Sequence, residues 1–459
     1  MTSRGARGEL AIVLHSHMPY VEGFGTWPFG EEWLWEAMAT SYLPLLDVLD
    51  AGAPVTLSLT PVLCDQLAAP GIGDRFLAFC RELRAESHER DARSADDPAV
   101  AAELRRAAGD YARAADAFEA RGGDLLAALA PHAAWTSSAT HAVLPLLATR
   151  AGVRLQLQTG IDAHRARFGD GWRGGFWLPE CAHEPWLDPL LEEAGVHATC
   201  VDLTDVLSPE AHLTPLRSAA GPLLVPIDRA TIELVWSPGG YPARAAYRDS
   251  HRRTACHHKP WANDAAIYDP ERAAEQARAD AADFVARARE RVRDGGLCVC
   301  ALDTELLGHW WHEGVTWLAA VVDEADRQGL PLAALDDALE RHEPVAAPQL
   351  PTTSWGTPRD LWTWSGPQVA ELAFAARRAE LDVVAARERA GDRALRELLA
   401  LQSSDWAFMV SRDVAAPYAR ERAEGHRAAL AEALAAGPAA PAPLRSLAPN
   451  LARGALRQP

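Results

Sequence analysis

Short apolar runs alternating with helix-patterned segments constrain this chain more than any other feature of its sequence. Leu10–Leu14 (LAIVL) is a continuous apolar run of strand length, the pattern of a parallel strand buried on both faces. Runs of the same kind recur at Val55–Leu59, Val153–Leu157, Gly175–Leu178, Ala198–Val201, Leu223–Ile227 and Leu297–Leu302, and a long helix is expected over Pro270–Val292. Strands alternating with helices predict a parallel α/β barrel or a doubly wound sheet.

Two stretches break the alternation. Residues 70–130 are rich in Ala, Arg, Glu and Asp at helical spacing, which predicts a helical insertion between strands. Beyond Thr363 the strand signals stop, and Gln368–Ala390, Arg393–Leu401 and Ala416–Ala436 read as helices. The expected organisation is therefore a catalytic domain over 8–362, the insertion within it, a C-terminal helical domain over 363–437 and a loose Pro- and Ala-rich tail over 438–459.

The chain carries a formal net charge of −18, which repels phosphate backbones and anionic membrane surfaces. A nucleic acid is therefore not an expected partner, while a neutral sugar polymer is indifferent to that charge. No apolar stretch approaches the roughly 20 residues of a membrane span, and the first residues lack a signal-peptide core, so a cytoplasmic protein is expected. The seven cysteines are scattered without a C-x-x-C pair, which argues against a structural zinc or redox motif. Tryptophan is abundant, at 16 residues against 10 Phe and 7 Tyr. Some of these fill a core. Those in loops beside polar residues suit pyranose rings, whose C–H faces pack flat on an indole.

Three of the strand-like runs end in polar clusters. The first gives His15 and His17, another Glu180 after Trp177-Leu178-Pro179, and a later one Asp303 and Glu305 followed by Gly308-His309-Trp310-Trp311. Carboxyl ends of barrel strands form the active-site rim, so clusters far apart in sequence can converge there. Two carboxylates leaving buried strands beside aromatic residues suit glycoside chemistry: one stays ionised to attack, the other holds a proton for the leaving oxygen. Each acid, taken alone, also suits a helix cap or an arginine partner. His15 and His17 alternate as zinc ligands do, but a zinc site needs a third protein ligand, so neutral histidines binding sugar hydroxyls is the preferred reading and no metal is expected. Glu305, two residues past Asp303, suits either orientation of a ligand or a salt bridge to a nearby Arg or Lys.

Taken together, HSHMPY, WPFGEEWLWEA (Trp27–Ala37), Ala139-Thr140-His141 with Leu144-Pro145, GGFWLPECA (Gly174–Ala182), LDTELLGHWWHEG (Leu302–Gly314), TSWG (Thr353–Gly356) and SSDW (Ser403–Trp406) run in the order found in glycoside hydrolase family 57. The chain resembles that family over most of its length, and its branching-enzyme group in particular. The resemblance implies an incomplete (β/α)7 barrel with a helical insertion and a C-terminal helical domain. It implies Glu180 as nucleophile and Asp303 as acid/base of a retaining enzyme on α-1,4-glucan, with no cofactor. It also matches His15, His17 and His141 to histidines around the cleaved sugar, and Trp33, Trp355, Asp405 and Trp406 to substrate contacts. Val235–Pro242 resembles a loop that covers the cleft, with Tyr241 as the aromatic residue favouring transfer, and Arg253 and Trp261 correspond to further substrate contacts.

The loop near Tyr241 is slightly short, and Ser250–Tyr268 fits the family poorly. A shortened cover admits water, so an α-amylase or a 4-α-glucanotransferase on the same scaffold is the main alternative to a branching enzyme. A glucan-binding pseudoenzyme and a metal-dependent mannosidase or deacetylase are further alternatives, the last distinguishable by a chelator. A monomer or a homodimer is equally compatible with the sequence.

Overall fold

The computed structural model describes residues 8–219, 221–438 and 446–457. Nine strands are present among them: β1 Glu9–Ser16, β2 Thr56–Leu59, β3 Ala133–Ser137, β4 Phe176–Trp177, β5 Ala198–Val201, β6 Leu216–Arg217, β7 Leu223–Pro226, β8 Leu297–Asp303 and β9 Val345–Ala346. They form a five-stranded parallel sheet in the order β4-β3-β2-β1-β8 and a four-stranded sheet in the order β5-β7-β6-β9. A parallel bridge from Gly175 to Ala198 joins β4 to β5, and the Asp228 amide donates to the Val299 carbonyl at 2.8 Å, drawing the end of β7 toward β8. Strands β8, β1, β2, β3, β4, β5 and β7 thus curl through an almost closed ring, while β6 and β9 lie outside it as an antiparallel and a parallel addition. This is the incomplete barrel that the family resemblance implies, and of the two folds the alternating pattern allows it is the barrel.

Burial explains the ring. Leu10, Ala11, Ile12, Val13 and Leu14 are all 0% exposed, as expected of a strand covered on both faces. Each large aliphatic side chain buried in this way contributes about 1.5–3 kcal/mol. The helix Pro270–Arg291 covers the outside with Ala273, Ala277, Ala281 and Phe284, and Gly314–Gln328 packs beside it through Trp317 and Val321. Asp269 caps the first of these helices by accepting from the amides of Glu271 and Arg272.

One expected strand is a helix. Val153–Leu157 lies inside Arg150–Phe168, where the Thr149 hydroxyl accepts from the Gly152 amide as an N-cap and Gly169 ends the last turn. Val153, Leu155, Leu157 and Ile161 are buried along that helix, so its apolar run belongs to a longer period than five residues display. The strand β3, in contrast, carries an Ala-rich sequence with little strand signal and is fixed by pairing with β2 and β4.

Helices fill the space between β2 and β3, the longest being Ala85–Ser94 and Pro98–Ala120. The C-terminal part is helical at Trp362–Ser365, Ala370–Ala386, Asp392–Leu401, Ser404–Ser411 and Ala416–Ala436. The tail expectation is corrected over 446–457. There the Ser446 amide donates to Glu22 at 2.9 Å, that of Ala448 to Asp65 at 2.6 Å and that of Ala452 to the Thr159 hydroxyl at 3.1 Å. Leu447, Ala448 and Ala455 are buried, so this stretch is fastened to the barrel side; residues 439–445 lie outside the described residues. No helix among the described residues is long and apolar enough to cross a membrane.

Candidate active site

The site forms where the carboxyl ends of β1, β2, β3, β4 and β8 meet Ser403–Asp405 of the C-terminal domain. His15 sits opposite Asp303 in the β1–β8 ladder, and Ser58 lies opposite His15 on β2. The chain leaves β4 at Trp177 and turns sharply, placing Glu180 at φ 63° and ψ 19° with Cys181 at φ 49°. A left-handed backbone costs a residue with a side chain about 1–3 kcal/mol and persists only where its surroundings hold it. Here the Cys181 amide donates to the Leu178 carbonyl at 2.9 Å, that of Ala182 to Pro179 at 3.0 Å, and the Trp355 amide to the Glu180 carbonyl at 2.9 Å.

Both carboxylate oxygens of Glu180 are held. The Trp355 indole N–H donates to Oε2 at 3.0 Å and the Ser404 hydroxyl to Oε1 at 2.8 Å. An ionised carboxylate only accepts, so Ser404 is the donor and its oxygen takes the Nδ1–H of His141, 2.8 Å away. The His141 Nε2 then bears a lone pair and accepts from the His15 Nε2–H at 2.9 Å, and His15 Nδ1 accepts from the Ser58 hydroxyl at 3.1 Å. The chain of bonds requires a neutral His141 and is satisfied with both rings neutral. Burial, followed by the neighbouring His17, holds both His15 and His141 well below the ordinary histidine range.

His17 is different. Its Nε2 lies 3.0 Å from both Asp405 oxygens and its Nδ1 3.2 Å from the Thr60 hydroxyl. Burial opposes a charge on this ring, but Asp405, Glu305 and Glu180 outweigh it and raise its pKa. The rings stack as a set: His17 on His141 at 4.0 Å between centroids and His15 on Trp177 at 4.6 Å.

The two carboxyl groups are unequally placed. Burial, then Glu305 and Glu180, push Asp303 well above the carboxylate range. Burial also raises Glu180, but Trp355 and Ser404 act against it through their hydrogen bonds. Such a pair keeps a proton on one acid while the other is ionised. Among the described residues Glu305 makes no salt bridge to an Arg or Lys; it accepts from the His17 amide at 3.1 Å and from the Tyr42 hydroxyl, and burial brings its pKa to about 7.

A cleft of about 2000 Å³ opens over these groups, roomier than the roughly 300–1,000 Å³ of a single-ligand pocket. His15, His17, Trp33, His141, Glu180, Arg253, Asp303, Trp355 and Asp405 all line it. Three expected contacts do not. Tyr241 is only 2% exposed, donates to Asp283 at 2.8 Å and packs near Trp317, because the chain folds inward directly after Gly240. The exposed aromatic of that segment is Trp236, which does line the cleft. Trp261 packs under Arg252, 3.8 Å from ring centroid to guanidinium, and against the cluster of Ala92, Val100, Ala101 and Leu104. Trp406 is buried in the C-terminal domain with its N–H on the Ala400 carbonyl at 2.7 Å. Sequence reasoning gave no role to Ser58, Ser404 or Tyr42. Ser404 stands inside the SSDW motif, but nothing local to it reveals the carboxylate it meets.

The family model for glycosyl hydrolase family 57 matches residues 134–351, and that for the C-terminal domain of 1,4-alpha-glucan branching enzymes matches 368–445. A probable 1,4-alpha-glucan branching enzyme of Mycobacterium tuberculosis is 36% identical over 94% of this chain and 93% of that protein. A 1,4-alpha-glucan branching enzyme of Thermococcus kodakarensis is 30% identical over 91% of this chain and 72% of its own length. Among solved structures, a branching enzyme of this family from Pyrococcus horikoshii superposes with a TM-score of 0.85 at 31% identity, covering 91% of this chain and 88% of that one. An alpha-amylase from Thermotoga maritima, 24% identical with a TM-score of 0.78 over 93% of each chain, shares the fold. The chain belongs to glycosyl hydrolase family 57.

Proposed function

We propose that this protein is a 1,4-alpha-glucan branching enzyme that cleaves an α-1,4-glucan, amylose or glycogen-like, and transfers the released chain to a glucan 6-hydroxyl. The observation that carries the chemistry is the inequality of Glu180 and Asp303. Glu180, steadied by Trp355 and Ser404, attacks the anomeric carbon while Asp303 gives its proton to the leaving oxygen. Asp303, now ionised, takes the proton from the incoming 6-hydroxyl as that oxygen displaces Glu180. Two inversions leave the α configuration unchanged. His15, His17 and His141, their ring nitrogens engaged with Ser58, Ser404, Thr60, Asp405 and one another, fix Glu180 and Asp405 beside the sugar at the cleavage point. The 36% and 30% identical relatives named as branching enzymes support transfer to a 6-hydroxyl. All seven cysteines are unpaired, which supports a reducing, cytoplasmic setting for a monomer or homodimer.

A second reading, α-1,4 hydrolysis, is favoured by one observation: Tyr241 is buried away from the cleft, so it does not screen the intermediate from water. Proton NMR of amylose incubated with the purified protein decides between them. Growth of α-1,6 anomeric signals with few new reducing ends is the expected result. Reducing ends without α-1,6 signals would replace the proposal with hydrolysis, and no change in either would remove both readings.

A further inference from the structure

The segment Ser250–Tyr268, which departs from the family pattern, crosses over the helical insertion and forms one wall of the cleft. It is tied down along its length. The Arg248 guanidinium meets Glu103 at 2.9 Å and stacks 3.9 Å from the Tyr268 ring, the Cys256 amide donates to Asp91 at 3.1 Å, and the His258 and His88 rings stack at 3.4 Å. From this fixed wall Arg253, His257 and Lys259 line the cleft, together with Trp27 and Trp310, 59% and 55% exposed.

The charges of this wall do not cancel. Arg84 is offset by Glu32, 3.0 Å away, and by Glu36, and Arg248 by Glu103. Arg253 and Lys259 have no carboxylate within ion-pair distance among the described residues. Asp249 acts on Lys259 in the attractive sense, but its carboxylate is engaged by the amides of His251 and Arg252. Burial, then repulsion from Arg253, Arg248 and Arg84, lowers Lys259 to about 8, and burial, then Lys259, Arg253 and Arg84, holds neighbouring His309 at about 3. Neutral hydroxyls do not require two uncompensated cations, and keeping the Lys259 ammonium partly out of water is unfavourable until an anion meets it. In a chain of net charge −18 this local excess is the reverse of the overall balance.

We propose that Arg253 and Lys259, set in the cleft with Trp27 and Trp310, form a subsite for an anionic substituent, a carboxylate or a phosphate monoester, carried on a glucan chain. The inference rests on the glucan-acting reading above and extends it to the class of glucan. The test is calorimetric binding to Glu180→Gln protein, which cannot turn its ligand over, with three chains built on maltoheptaose: the alditol, the aldonate and the 1-phosphate. The alditol and aldonate differ only in the charge of the opened end unit. The aldonate or the phosphate is expected to bind about tenfold tighter than the alditol at low salt. That advantage shrinks in high salt and disappears when Arg253→Gln and Lys259→Gln are added, while Lys259→Arg retains it. Whichever anion gains more identifies the substituent. Equal binding of all three chains would overturn the subsite and leave the glucan reading intact, whereas no binding by any of them, with amylose also left untouched by the unsubstituted protein, would overturn both.

Discussion

The Ser404 hydroxyl donates to Glu180 Oε1 across 2.8 Å, reaching from the C-terminal helical domain to a strand end of the barrel. It also accepts from His141, so removing it unties the carboxylate from the histidine pair. A hydrogen bond to a charged group contributes about 1.5–3 kcal/mol. Ser404→Ala is expected to lower kcat/KM by roughly 10- to 100-fold, since about 1.4 kcal/mol is tenfold in rate. Steady-state assay on amylose checks this, and an unchanged rate would deny Ser404 any part in positioning Glu180.

Asp303 is expected to matter only where the leaving group needs a proton. Asp303→Asn should slow turnover of amylose by on the order of 10²–10⁴-fold. Cleavage of a maltooligosaccharyl fluoride, whose leaving group departs unprotonated, should be largely spared in the first step. Glu180→Gln should abolish both reactions. Equal loss on the two substrates in Asp303→Asn would reassign the proton donor.

The pH profile follows from the same asymmetry. Activity requires Glu180 ionised and Asp303 protonated, and both pKa values are raised, chiefly by burial. The acidic limb therefore lies above the ordinary Glu range, and the alkaline limb is set by loss of the Asp303 proton. Glu305 is the first charge acting on Asp303 after burial and opposes its ionisation. Glu305→Gln removes that repulsion, lowers the Asp303 pKa and should move the alkaline limb to lower pH. A limb that stays in place, or moves upward, contradicts the assignment.

Tryptophans at the cleft and in the core should respond oppositely. Trp310 is 55% exposed in the cleft, and Trp310→Ala is expected to raise KM by about 2- to 10-fold, from about 0.5–1.5 kcal/mol of ring stacking, without altering Tm. Trp406 is 2% exposed, and Trp406→Ala should destabilise the fold by about 3–5 kcal/mol. Thermal unfolding alongside saturation kinetics separates the two effects; a Trp406 variant with normal Tm but raised KM would return that residue to the substrate.

What was legible in the sequence follows the range of the forces involved. The strand Leu10–Leu14 and the helix over Pro270–Arg291 were readable because burial period and caps are local signals. Glu180 and Asp303 stand out locally because each follows an apolar run in a distinctive motif, and the fold brings both to one cleft. Val153–Leu157 departs from its strand expectation because five residues do not separate a strand from one face of a helix, and the deciding element, Thr149 as N-cap, lies outside the run. Tyr241 was misplaced for a longer-range reason. Its Gly-Gly neighbours describe a bendable loop, but Asp283, on a helix that begins at Pro270, draws the phenol inward. The tail was read from composition, whereas its packing comes from Glu22, Asp65 and Thr159, which offer oxygens to its amides.

The site is completed from the last part of the chain. Asp405 and Ser404 reach His17 and Glu180 from beyond the barrel, and the stretch after Ser446 clasps the barrel wall. A nascent chain emerging from the ribosome can therefore fold its barrel with both carboxylates in place and still lack the partners that tune them. Reactivity toward the polymer is withheld until Ser404 and Asp405 have joined the barrel, and a product terminated before them would be a barrel without a working site.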